Sequence, residues 1–299
     1  MEGFKAFLKR KNIEISAKRY GIDALGAMAQ GLFCSLLIGT IIKTLGQQLS
    51  IQYLIDIGAY AMSVSGPAMA VAIGYALKAD PMVLFSLAAV GWAANAEGGA
   101  GGPLAVLIIA IIAAECGKMV SKETKVDILV TPGVTILIGV ALAKLIAPPI
   151  GTVASAFGLV IDNATKLQPF WMGIAVSVLV GIALTLPISS AAICSVLGLT
   201  GLAGGAAVAG CCAQMVGFAV MSFKENRWGG LVSQGLGTSM LQMPNIVKNP
   251  RIWIPPTLAS AITGPMATCL FKPDGSPPVR RPLPEGRPPS SPPVSTGWA

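Results

Sequence analysis

The sequence predicts an all-α polytopic membrane protein of about eight transmembrane helices, with additional broken or re-entrant segments. Hydrophobic residues make up 54% of the chain and charged residues only 11%, whereas a soluble domain carries roughly 25% charged residues. The mean hydropathy is +0.71, and the apolar residues form runs close to the ~20 residues that a membrane-spanning helix needs. The 35 glycines are typical of closely packed membrane helices.

Four apolar runs occupy the first part of the chain. They are residues 21–45, 51–77, 81–95 and 103–116. The second run is interrupted by Ser65-Gly66-Pro67. The last two flank residues 95–103, whose glycines do not suit a helix interior.

The second part of the chain is less regular. Its apolar runs are residues 126–146, 169–186, 197–221 and 252–271. We expect the first of them to end at Pro148-Pro149 and residues 150–163 to be an interfacial or re-entrant piece. Residues 228–248 are apolar enough to enter the membrane, but their glycines and polar residues predict an irregular backbone, which must be covered by protein or line a wet cavity.

Basic residues are concentrated near the N-terminus. Residues 1–19 carry a net charge of +4 out of +8 for the whole chain, so we expect this segment to lie on the cytoplasmic side. It is either a short interfacial helix or a disordered basic arm. Four crossings then return the chain to the same side at Lys118, Lys122 and Lys125, in agreement with the positive-inside rule.

The chain divides into three parts by composition. A transmembrane domain over residues 20–272 follows the basic segment 1–19. Residues 273–299 contain nine prolines and cannot form a packed core, so we expect a disordered tail.

The sequence excludes several chemistries. It contains no histidine, no phosphate-binding glycine loop of the P-loop type and no nucleic-acid-binding module. The six cysteines lie in or at the ends of apolar segments without metal-ligand spacing, so they are interpreted as small apolar residues. We therefore expect no catalytic residue, no metal, no cofactor and no nucleic-acid partner.

The first candidate binding region is the glycine-rich break at residues 95–103. Its candidate residues are Asn95, Glu97, Gly98 and Gly99. An acid between two apolar runs is costly unless it has a function, and glycines let a ligand approach the backbone. The alternative is a surface loop in which Glu97 meets water.

The second candidate region contains neutral polar residues. They are Gln234, Thr238, Ser239, Gln242 and Asn245, and a third break after Pro187 adds Ser189 and Ser190. Amides and hydroxyls both donate and accept hydrogen bonds, which suits an uncharged polyhydroxylated ligand. The alternatives are hydrogen bonding between packed helices and, at Pro187, a structural kink.

Four motifs in the second half of the chain carry a resemblance to a known family. They are TLPISSAA at residues 185–192, GCCAQMVGFAV at 210–220, GLGTSMLQMPN at 235–245 and IWIPPTLAS at 252–260. Together they resemble the EIIC-like membrane proteins of the phosphotransferase system, type 2, in the toxin-regulator-like branch. The resemblance covers roughly residues 1–272.

The resemblance implies a multi-pass, homodimeric permease of the bacterial cytoplasmic (inner) membrane. Such a subunit binds a sugar or similar polar solute, and a separate EIIB-like cytoplasmic protein donates the phosphoryl group. The chain departs from the EIIC families that place a histidine near the sugar. It also departs after Lys272, where the proline-rich tail replaces the Gly-rich apolar sequence that the resemblance implies, and this is interpreted as an altered end.

Two other functions stay open on the sequence. A membrane sensor or regulator would keep the EIIC fold without transport, and the absence of histidine favours it. An ion-coupled transporter would move its solute without phosphorylation.

Overall fold

The computed structural model describes residues 7–197 and 199–271, and every secondary-structure element in them is helical. This confirms the all-helical class. Four of the described helices are long and apolar enough to cross a membrane, or five if one bent pair counts as a single span. The predicted number of about eight is therefore not confirmed. The proline-rich tail at 273–299 and the first six residues lie outside the described residues.

The helices are named in chain order. Those of the first half are α1 (Arg19–Gln48), α2 (Gln52–Ser63), α3 (Ser65–Ala76), α4 (Pro81–Gly98) and α5 (Gly102–Val120). Those of the second half are α6 (Asp127–Thr165), α7 (Pro169–Thr185), α8 (Ser190–Leu197), α9 (Gly201–Met221), α10 (Phe223–Val232), α11 (Met243–Lys248) and α12 (Ile254–Pro265).

The number of full spans is lower than predicted partly because α7 is short and partly because the stretch Pro81–Val120 counts once. α7 has 17 residues, below the ~20 that a span needs. α12 continues as a π-helix over Met266–Phe271, which brings this helix to 18 residues. The 40-residue apolar stretch Pro81–Val120 folds back on itself, because Val83 near its start packs against Gly117 near its end. α4 and α5 are thus antiparallel arms of one hairpin.

The break predicted inside the second apolar run is present. α2 and α3 are bent by 47° relative to each other, and α3 begins at Ser65. Pro67 occupies the first turn of α3, where its missing N–H leaves no helical hydrogen bond unmade.

The predicted end of a helix at Pro148-Pro149 is wrong. α6 continues through both prolines for 39 residues, so residues 150–163 belong to this helix and are not a separate interfacial piece. A proline removes a helical hydrogen bond, but tertiary packing holds α6 together on both sides of the pair. Ala147 and Ala154 are buried, and the backbone of Ile150 lies directly against Gly101.

The helices pack as two bundles. The N-terminal bundle contains α1, α3, α4, α5 and the first part of α6, around buried residues such as Met69, Val90 and Ile109. The C-terminal bundle contains α7, α9 and α12, and its core reaches Ile161 in the last part of α6. α6 therefore belongs to both bundles.

Glycines allow the closest helix crossings in each bundle. Gly66 of α3 lies against the backbone of Gly91 of α4, and Gly173 of α7 lies against Gly264 of α12. A Cβ atom at any of these four positions would overlap the neighbouring backbone. Small residues at crossing points are the usual means by which membrane helices gain packing energy.

Charged residues gather at one end of the N-terminal bundle, called the charged end. Arg10 pairs with Glu123 at 2.7 Å, and Lys11 also contacts this carboxylate. Lys118, which is almost fully buried, donates to the Asn12 carbonyl at 2.8 Å and to Glu115 at 2.9 Å. The basic N-terminal segment is therefore held against the end of α5.

An ion pair in the same region links the turn before α4 to the loop after α5. Burial acts to raise the pKa of the Asp80 carboxyl, but hydrogen bonds from Lys122 and Ser121 outweigh it and hold that pKa below its usual value. The hydrogen bond to Asp80 in turn raises the pKa of the Lys122 ammonium. Both groups are thereby kept charged at neutral pH.

Candidate functional site

The turn between α4 and α5, called the hairpin tip, consists of Gly99–Gly101. Gly99 has φ 49° and ψ −121°, a conformation that only glycine adopts without strain. Gly98 is buried, and Asn95 is partly buried beside Gly66 and Gly102. Glu97 is exposed, but it and Asn95 lie in the last turns of α4 and not in a loop, so the break predicted over residues 95–103 is confined to Gly99–Gly101.

The break after α7 lies against the hairpin tip. The Ser189 N–H donates to the Ala100 carbonyl at 2.9 Å, and the Ser189 hydroxyl accepts from the Ala192 N–H at 3.2 Å. Ser190 begins α8 and is 6% exposed. Two of the three predicted regions are therefore joined by a backbone hydrogen bond.

The third region, residues 234–245, is called the amide segment, and its backbone is irregular as predicted. A π-helical turn at Ser233–Gly237 leads to Thr238 in an extended conformation. The Thr238 hydroxyl accepts from the Met240 N–H at 3.2 Å and so caps the 3-10 turn Ser239–Gln242. α11 follows at once.

The amides of this segment form a chain of hydrogen bonds. The Gln234 Nε2 donates to the Ser222 Oγ at 3.0 Å, and the Gln242 Nε2 donates to the Gln234 Oε1 at 3.0 Å. The Asn245 Nδ2 then donates to the Gln242 Oε1 at 2.9 Å. Gln234 and Gln242 are only 3% and 6% exposed. The region thus holds several buried, neutral donors and acceptors, and it carries no charge of its own.

The amide segment lies between the two bundles. On one side Met240 belongs to the N-terminal core, and Pro244 packs against Gly26 of α1. On the other side the hydroxyls of Ser239 and Thr185 are 2.8 Å apart, at the end of α7. Any change in the relative position of the bundles must therefore rearrange these contacts.

These segments also carry the motifs on which the resemblance rests. The chain matches the family model described as "Phosphotransferase system, EIIC" over residues 22–279. The chain belongs to the phosphotransferase-system EIIC family. No curated protein and no solved structure gives a significant match.

As an EIIC-family protein, the chain is a multi-pass membrane protein and a transport component of the phosphotransferase type. EIIC components usually work with EIIB partners and carry sugar substrates. Among residues 7–197 and 199–271, no three histidine, cysteine, aspartate or glutamate side chains come together as a metal site.

The structure brings together only some of the predicted site residues of this EIIC domain. Gln234, Gln242 and Asn245 are directly bonded, and Ser239 is linked to α7. Glu97 takes part in no hydrogen bond or ion pair with the described residues of the amide segment.

Two residues at the site were missed by sequence reasoning. Thr185 ends α7 and contacts Ser239, while Ser222 follows α9 and binds Gln234. Thr185 opens the TLPISSAA motif and Ser222 follows an apolar run directly, so each stands at a helix end beside a break. That position was the available sequence signal for both.

Proposed function

We propose that this EIIC domain is a permease that binds a sugar or similar polyhydroxylated solute and translocates it by alternating access. A separate EIIB-like protein phosphorylates the solute on the cytoplasmic side. One observation carries the proposal: a chain of neutral amides, buried at Gln234 and Gln242 and exposed at Asn245, lies between two helical bundles that contact it from opposite sides.

The chemistry of the amide segment fits a hydroxyl-rich ligand. A glutamine amide offers two N–H donors and two acceptor positions, and Gln242 uses one donor and one acceptor in its bonds to Gln234 and Asn245. Solute hydroxyls would take the remaining positions or replace these bonds one for one. Such an exchange conserves hydrogen bonds, so binding does not leave buried amides unpaired.

The other predicted residues are assigned to the edge of the same site. Asn95, Glu97, Gly98 and Gly99 lie at or beside the hairpin tip, which is bonded to the break at Ser189. Thr185 connects the helix before that break to Ser239 in the amide segment. The tip, the break and the amide segment would therefore shift together when the bundles move.

The proposal places the protein in the bacterial cytoplasmic membrane as a homodimer with its N-terminus in the cytoplasm. The gathering of Arg10, Lys11, Lys118 and Lys122 at the charged end supports this orientation, because basic residues are retained on the cytoplasmic side. The EIIB partner would then approach from that side.

A ligand screen on the detergent-purified protein tests the proposal. Sugars, sugar alcohols and ascorbate-like acids are added singly, and the unfolding temperature is measured, because a ligand that binds only the folded protein raises it. We expect one class of solute to stabilise the protein selectively. No selective shift in protein shown to be folded would contradict the permease and favour the regulator.

Matched variants locate the binding site. Gln242→Ala and the near-isosteric Gln242→Glu are expected to lose the shift, whereas Gln47→Ala, which removes an exposed amide in α1, keeps it. If both Gln242 variants kept the full ligand-induced rise in unfolding temperature, the amide segment would not be part of the binding site. Uptake that requires phosphoenolpyruvate would establish coupling to phosphorylation, and uptake that requires only an ion gradient would contradict it.

A further inference from the structure

A groove of about 600 Å³ runs between α9 and α12 on the outer face of the C-terminal bundle. Its wall is apolar, with Cys212, Val216 and Val220 on one side and Pro255 and Ala259 on the other. Several of these side chains are exposed, although they lie on helices of a membrane protein. Because α9 is long and apolar enough to cross a membrane, we expect its exposed apolar face to contact lipid.

The shape of the groove suits one hydrocarbon chain. It extends along α9 from Ala209 to Met221, which is about 18 Å at 1.5 Å per residue. One leaflet of the bilayer core is about 15 Å thick. Alanine and glycine on α9 leave the space open, and Gly217 brings the two helices together, since a Cβ atom there would lie 3.0 Å from the Pro256 Cβ.

Positive charge flanks one end of the groove. Just beyond Met221 the chain presents Lys224 and Arg227, and just before Pro255 it presents Arg251, all exposed. Glu225 is the only acid in these two flanks. Within the part of the chain that the structure describes, none of the three basic residues takes part in an ion pair.

An aromatic pair marks the same end as a membrane–water boundary. Trp228 is 70% exposed, and its ring packs edge-on against Phe223 with centroids 5.5 Å apart. Tryptophans of this kind are enriched at the level of the lipid headgroups. The apolar groove and the basic flank thus meet where a phospholipid's acyl chain joins its headgroup.

We propose that this groove is a binding site for an anionic phospholipid. One acyl chain lies along Val216 and Ala259, and the phosphate is held by Lys224 and Arg251. A zwitterionic lipid would fill the groove but gain less from the basic flank. From the usual attraction between basic residues and anionic lipid, two such charges favour the anionic lipid by on the order of tenfold to thirtyfold.

Binding is measured on the full-length, delipidated protein by native mass spectrometry and by the shift in unfolding temperature. The probes are phosphatidylglycerol and phosphatidylcholine with identical acyl chains. We expect phosphatidylglycerol to bind roughly tenfold or more tightly. In Lys224→Gln/Arg251→Gln this preference should disappear while phosphatidylcholine binding stays the same.

Two further variants keep the test decisive. Ala213→Leu/Ala259→Leu fills the groove and should weaken both lipids, whereas Lys9→Gln/Lys125→Gln removes two exposed basic residues elsewhere and should change neither. If this control lost the preference for phosphatidylglycerol to the same extent, the preference would come from general charge attraction, and the proposal would be overturned. The groove-filling variant could instead lose the dimer while its lipid binding stays the same. The groove would then be a contact between two copies of the chain, and the proposal would also be overturned.

Discussion

The hairpin tip and the amide segment look alike in the sequence but differ in the folded protein. Each lies in a glycine-containing stretch of apolar sequence that also holds polar residues, 95–103 around the tip and 228–248 around the amide segment. At the tip, Glu97 is exposed, whereas in the amide segment Gln234 and Gln242 are buried and bonded to each other. A break in an apolar run therefore predicts where a helix ends, but not whether its polar side chains meet water or one another.

The length and surroundings of each break explain the difference. The tip is a three-residue turn between antiparallel arms, and Glu97 lies just before it, in the last turn of α4, with its side chain exposed. The amide segment is longer and is covered by both bundles. Its buried polar groups are hydrogen-bonded to one another, because an unpaired buried polar group costs about 1–3 kcal/mol.

Among the substitutions that test this comparison, Gln234→Leu is expected to lower the free energy of unfolding most. The substitution leaves the Ser222 hydroxyl without its donor and the Gln242 Nε2 without its acceptor, so it should lower the free energy of unfolding by about 2–4 kcal/mol. Denaturant unfolding in detergent measures the change. Glu97→Leu is the matched substitution at the tip and should stay within about 0.5 kcal/mol; similar losses in both would contradict the contrast.

Glycine-to-alanine substitutions are expected to destabilise the hairpin tip more than the amide segment, which is the opposite of the order expected for the leucine substitutions. A Cβ atom at Gly101 would lie 2.7 Å from the Ile150 carbonyl oxygen, so Gly101→Ala should destabilise the protein by about 1–3 kcal/mol. At Gly235 the new Cβ would lie 3.7 Å from the Ala219 Cβ, an ordinary contact. Gly235→Ala should therefore be close to neutral, and a loss there equal to that of Gly101→Ala would show that the amide segment is as tightly packed as the tip.

Thr185→Val tests the link between the amide segment and α7. It removes the bond to the buried Ser239 hydroxyl and should cost about 1 kcal/mol. Thr152→Val, at an exposed threonine whose hydroxyl bonds to the Pro149 carbonyl, is the control. If the bundles move during transport, solute uptake should change in Thr185→Val and not in the control.

The smallest effect is expected from Glu97→Gln. The unfolding temperature should not change, because the side chain is exposed and has no partner in the amide segment. Solute affinity should fall by less than in Gln242→Ala. A larger fall than in Gln242→Ala, measured in the same ligand assay, would move the centre of the binding site from the amide segment to the hairpin tip.

Local sequence predicted where the chain could not continue as a helix. The break predicted over residues 95–103 is present at Gly99–Gly101, and the mixture of glycine and polar residues at 228–248 follows an irregular path. Both depend on backbone preferences of adjacent residues, which a single sequence displays directly. The candidate residues of the amide segment were identified in the same way, from residue type and position.

The sequence by itself determined the all-helical membrane class, the EIIC family, the breaks near Ser65, Gly99 and Pro187, and the basic N-terminal segment. These follow from hydropathy, charge and local motifs, which do not depend on distant contacts. Only the tertiary structure decided that α6 continues through Pro148-Pro149, that α4 and α5 fold into one hairpin, and that Gln234, Gln242 and Asn245 bond to one another. The first two depend on packing between residues far apart in the chain, where a neighbouring helix outweighs the local preference. The amide bonds join residues only eight and three positions apart, but they need the irregular backbone that contacts with both bundles hold in place.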